Sequence, residues 1–153
     1  MQGISSDDLV PQLLRLIPEV YPFMEEKAER EDLAAAQVTH WDKIDLTPMN
    51  FLSDVLVYPL FKPLMKAPEI GEDAEDLLKR CFEFIEALEE DPTGVLVTTA
   101  YFSFVEFFLE SREVLERAFQ FAWPKTRAEM LSMLRGWNIP VDPAWEGPAG
   151  EML

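Results

Sequence analysis

Along residues 95–110, VLVTTAYFSFVEFFLE, the polar residues Thr99, Ser103, Glu106 and Glu110 stand at intervals of four, three and four. A strand would keep its polar positions on one parity, and these do not share one. On a 3.6-residue helix they form one narrow stripe, with Val95, Leu96, Tyr101, Phe102, Val105, Phe108 and Leu109 around the remainder. The pattern predicts a helix buried on most sides. Asp91 and Pro92 supply an N-cap and a first helical position. Tertiary burial has to override the poor helix propensity of Val, Thr and Phe here.

The neighbouring segments carry the same period. Residues 72–91 place Ala74, Leu77, Leu78, Cys81, Phe82, Ile85 and Leu88 on one face, with Glu72, Asp73, Glu75 and Asp76 in the first turn, where carboxylates favour the positive end of the helix dipole. A helix over 111–122 starts at Ser111 as N-cap, and one over 124–137 opens with Pro124 and stops near Gly136. Toward the N-terminus, residues 6–17 read as a helix ended by Pro18, and 22–37 as a solvated helix with few apolar anchors. Residues 38–46, VTHWDKIDL, lack helical spacing and read as a loop. From Thr47 a helix resumes, kinked or divided at Pro59 and Pro63.

These segments predict an all-α fold: a single-domain stack of antiparallel helical hairpins, HEAT-like or a bundle, of about six to seven helices over residues 1–137. Residues 138–153 hold three prolines and two glycines in 16 positions and read as an irregular tail, with Trp145 able to pin part of it to the body. The eight phenylalanines at 82, 84, 102, 104, 107, 108, 119 and 121 recur at helical spacing on adjacent helices and read as core.

At 153 residues, 48% of them hydrophobic, the chain is long enough for one core, and no apolar run reaches the roughly 18 to 20 residues of a membrane span. The opening MQGISSDDLVPQ lacks the basic and apolar regions of a secretory signal, so the protein is read as cytoplasmic. Cys81 is the only cysteine and His40 the only histidine. No disulfide, structural zinc site or metal cofactor is expected from such a set. Cys81 reads as a small core hydrophobe.

Charge changes the picture most. Asp and Glu number 29 against 13 Lys and Arg, for a formal net charge of −16. That balance repels nucleic-acid phosphates and anionic membranes and speeds encounter with cationic partners. For chemistry, Glu106 on the apolar 95–110 helix is the best carboxylate, since burial would raise its pKa. Its structural reading is a polar-stripe residue, exposed or paired with Arg112 or Lys79. His40 would need a nucleophile brought close in space. No catalytic residue is assigned, no cofactor is expected, and the protein is read as a non-enzyme.

The succession LIPEV, FLSDVLVYPL, AEDLLKRCFEFIEALEED, SFVEFFLE and WPKTRAEML resembles small, acidic, all-helical bacterial immunity proteins encoded beside polymorphic toxins. The resemblance spans about residues 9–137. It implies an inhibitor that occludes a basic toxin or effector enzyme such as a nuclease. The candidate partner-binding residues are Trp41 and Phe51 as apolar anchors with Asp42, Asp45, Asp54, Glu72, Asp73, Glu75, Asp76, Glu86, Glu89, Glu90, Asp91 and Glu106 as carboxylates. A different class, an acidic helical adaptor, regulator or nucleic-acid-mimicking counter-defence protein, stands as the alternative. A small enzyme using Glu106 or His40 ranks behind both.

Overall fold

A computed structural model describes residues 8–30 and 48–146. Among them there are seven helical segments and no strand, so the fold is all-α as the periodicity predicts. They are α1 (Leu9–Leu16), α2 (Tyr21–Arg30), α3 over 48–66, α4 (Glu72–Glu89), α5 over 95–110, α6 (Arg112–Phe121) and α7 (Pro124–Gly136). Short 3-10 turns at Pro18–Val20 and Pro143–Glu146 complete the described chain.

Local chemistry sets most of these boundaries. The Ser111 hydroxyl accepts the Val114 N–H at 3.1 Å and caps α6, and Pro124 occupies the first turn of α7. Glu72, Asp73 and Glu75 stand in the first turn of α4. Helix α5 begins later than Asp91–Pro92 suggests: its α-helical turns run Val95–Ala100, after Gly94 in the left-handed region at φ 79°. Asp91 still caps it, accepting the Leu96 N–H at 2.9 Å as well as the Thr93 N–H and hydroxyl. Glycine at 94 supplies the positive φ that lets the chain turn from this capping loop into the helix.

Two helices depart from the regular α form. Helix α3 runs unbroken from Pro48 to Lys66, with α turns at each end and a π-helical stretch at Ser53–Phe61. Division at the prolines is therefore corrected. Pro59 lies inside the π stretch, where the wider turn opens the position at which an α turn would press the ring on the carbonyl four residues back. Pro63 falls in the first turn of the terminal α segment. Helix α5 passes from α to π at Tyr101–Val105 and ends as a 3-10 turn at Glu106–Glu110.

Helix α4 is the hub, packing against α1, α5, α6, α7 and the C-terminal end of α3, while α2 lies on the π stretch of α3. Phe61 sits where α3, α4 and α5 meet. Its ring lies edge-on to Phe104 at 5.1 Å and tilted against Phe82 at 5.7 Å and Phe108 at 6.1 Å, and Phe82 also stacks on Phe121 at 5.9 Å. Each fully buried phenylalanine contributes about 2 to 3 kcal/mol of apolar transfer. Cys81 is fully buried among them. Arg80 ties α1 to α4 from the surface, donating to the Leu16 carbonyl at 3.0 Å and gripping Glu19 with two nitrogens at 2.7 and 2.8 Å. Arg117 of α6 closes the C-terminal end of α3 by donating to the carbonyls of Leu64, Met65 and Ala67.

Past α7 the chain returns to the body. The Trp145 ring stacks on Phe119 at 4.5 Å, nearly parallel, and its carbonyl accepts a hydrogen bond from the buried Arg127 at 3.2 Å. Arg127 also donates to the Phe119 carbonyl. Trp145 thus pins this otherwise largely exposed segment to the body, as the sequence suggests.

Candidate functional site

The two π stretches face one another. Wide turns change which residues reach the surface, and π turns inside α-helices recur at functional sites. In α5 the exposed positions are Val95, Thr98, Phe102, Glu106 and Glu110, spaced by three and then four. The regular wheel instead places Thr99 and Ser103 outside, yet both are buried. The exposed stripe runs through Thr98 rather than Thr99, so Phe102 four residues on faces out and Ser103 faces in. Phe102, expected in the core, is 51% exposed.

Opposite it on α3, Tyr58 is 63% exposed and Met49 39% exposed. Together with Ser53, Val57, Lys62, Ser103, Glu106 and Phe107 these three line an open cleft of about 260 Å³. The Lys62 ammonium lies over the Tyr58 ring at 4.3 Å and the Phe107 ring at 4.9 Å from their centroids. Neither Lys62 nor Glu106 forms an ion pair among the described residues. Ser103 is 7% exposed, and its Oγ has no hydrogen-bond partner. Tyr58 also borders a second groove, with Phe23, Glu26, Arg30, Asp54 and Pro59, so the two depressions form one surface across α2, α3 and α5. A larger groove of about 760 Å³ lies between the end of α3 and α6, but Arg117 on its wall is already committed to the carbonyls it caps.

The expected site residues divide sharply. Trp41, Asp42 and Asp45, with His40, lie outside the described residues. Phe51 is completely buried on the inner face of α3 and is no anchor for a partner. Asp54 reaches the surface while pairing with Lys27 at 2.7 Å, and Lys27 is itself almost fully buried in α2. Glu106 lies on the cleft and is exposed, which fits its polar-stripe reading and not that of a buried acid. Glu72 and Asp73 are exposed at the start of α4; Glu75 and Asp76 pair with Lys79 and Arg80 along the same helix.

Three carboxylates of the second acidic run are not a solvated face. Glu86, 5% exposed, accepts the Lys125 N–H at 2.9 Å and the Thr126 N–H and hydroxyl at 2.8 Å, capping α7. Asp91 is buried in the α5 cap already described. Burial pushes the Glu89 carboxyl up to about 9, helped by the charge of Glu129 and a hydrogen bond shared with it. Burial raises Glu129 as well. Only Glu90 of this run stays near the surface, 3.9 Å from Lys125.

Sequence reasoning missed Met49, Tyr58, Lys62, Phe102 and Ser103. The signal for them was Pro59 inside an otherwise helical pattern, which marks a disturbed turn beside Tyr58. No group of three or more metal-ligating side chains occurs among the described residues, and no helix there is long and apolar enough to cross a membrane. No protein-family model, curated protein or solved structure matches the chain. The cleft therefore has to be read on its own chemistry: aromatic and thioether surface in water, one unpaired cation, one unpaired carboxylate, and a strongly acidic chain around them.

Proposed function

We propose that this protein is an inhibitor of the immunity type, which binds a basic toxin or effector enzyme and neutralises it by covering its active surface. The α3–α5 cleft is the centre of that contact. The observation that carries the reading is the cluster of Met49, Tyr58 and Phe102, held out in solvent on a chain of net charge −16. Exposed aromatic side chains on a chain of such net charge combine the two parts of a fast, tight protein contact. Buried anchors supply affinity, and charge supplies encounter rate and choice of partner. Tyr58 and Phe102 take the anchoring role first given to Phe51, and Glu106, Asp54 and Glu26 provide carboxylates around them. The proposal includes a cytoplasmic location, no cofactor and no direct contact with nucleic acid.

The test is parallel purification, from the native host at moderate salt, of tagged wild-type protein and a Tyr58→Ala, Phe102→Ala double variant. The expected result is one stoichiometric basic protein held by the wild type and lost by the variant. That protein should arrest growth when expressed alone and be silenced by co-expression. Retention by both forms would place the contact elsewhere. Several unrelated nucleic-acid-binding proteins held weakly would favour an acidic mimic instead.

A further inference from the structure

We infer that the α3–α5 cleft is a socket for an arginine side chain of the partner, and that Lys62 is a displaceable occupant of the cation position within it. The inference rests on the inhibitor reading and specifies what enters the site. The chain's own ammonium already marks where a cation sits, 4.3 Å from the Tyr58 ring centroid and 4.9 Å from that of Phe107. Nothing else holds it there: Lys62 has no carboxylate partner among the described residues, while Glu106 on the same cleft has no cation. A guanidinium fits this combination better than an ammonium. It stacks on aromatic faces, sheds water more readily, and presents a planar fork that a carboxylate accepts with both oxygens. Tyr58 and Phe107 provide the faces and Glu106 the counter-ion. Lys62, on a flexible four-carbon stem, swings into solvent as the arginine enters. Its departure removes a like charge.

This arrangement makes a prediction of unusual sign: removing a cation from an acidic binding surface by Lys62→Ala should tighten binding. The probe is N-acetyl-arginine methylamide, titrated into the full chain and followed by amide chemical shifts, with N-acetyl-norleucine methylamide as control. Saturable shifts should centre on residues 57–62 and 102–107 with the arginine probe alone. Lys62→Ala should strengthen binding, and Tyr58→Ala and Glu106→Gln should weaken it, each by roughly two- to five-fold. Binding left unchanged or weakened by Lys62→Ala, or shifts mapping away from the cleft, would overturn the socket. If the probe fails while capture of the partner still depends on Tyr58 and Phe102, the arginine assignment falls and the inhibitor reading stands. If capture ignores both aromatics, the contact lies elsewhere and the socket falls with the cleft; if the host yields no basic partner at all, the inhibitor reading itself falls.

Discussion

Glu86 on α4 accepts two hydrogen bonds from Thr126 on α7, one from its backbone N–H and one from its hydroxyl, both at 2.8 Å. A carboxylate from one helix thus serves as the N-cap of another that has no side-chain cap of its own, since Trp123 and Pro124 open α7. The charge also meets the positive end of the α7 dipole. Glu86→Ala leaves the N–H groups of Lys125 and Thr126 without that acceptor and is expected to cost about 2 to 3 kcal/mol. Glu86→Gln, which keeps one acceptor oxygen, should cost less. The midpoint of urea unfolding measures both.

Glu89 and Glu129 make the stability of this protein fall as the solution becomes alkaline. The folded state holds the Glu89 carboxyl up to about 9, chiefly through burial and the neighbouring Glu129 charge, against an ordinary value of 4.5. Between those limits the folded chain binds a proton that the unfolded chain has released. The stabilisation is therefore complete below the ordinary value and is lost as pH rises through the folded value. Glu89→Gln mimics the protonated acid and should flatten that slope. Unfolding free energies measured from pH 5 to pH 9 should decline in the wild type and decline much less in the variant.

The all-α fold was legible because its signals are local. The apolar face of α4, the Ser111 cap and the Pro124 start all lie within a turn or two of the boundary they set. Phe102 and Ser103 were placed on the wrong sides because the polar stripe was drawn through Thr99, whereas its neighbour Thr98 is the exposed one and Phe102 stands one turn beyond it. Glu86, Glu89 and Asp91 looked like the exposed acids around them. Their burial depends on Thr126, Glu129 and the Leu96 N–H, partners whose proximity only the tertiary fold creates. Of the cleft, the sequence pattern picked out Glu106 alone, since Tyr58 and Phe102 read like the core aromatics around them until the fold leaves them exposed.

Trp145 makes the segment after α7 a stabilising part of the body. Its ring stacks on Phe119, the Arg112 guanidinium lies 5.4 Å from its centroid, and its carbonyl receives Arg127. Trp145→Ala removes the stacked surface and exposes Phe119 and the buried Arg127 to water. A loss of about 2 to 4 kcal/mol is expected in urea unfolding. An unchanged midpoint would show that the segment contributes nothing to the fold.

Cys81 should report opening of the whole core. The thiol is fully buried beside the Phe61–Phe82 cluster, and burial pushes it up to about 12. Only the thiolate reacts with disulfide reagents, so the folded protein at pH 8 offers neither access nor the reactive form. Labelling must wait for an opening that separates α4 from its neighbours. Helix α4 packs against four other helices and the end of α3, so that opening amounts to global unfolding. Labelling by an aromatic disulfide at pH 8 should therefore be slow, and Glu86→Ala should accelerate it in proportion to the stability lost. Rapid labelling of the wild type, with a rate insensitive to Glu86→Ala, would instead show that α4 opens locally.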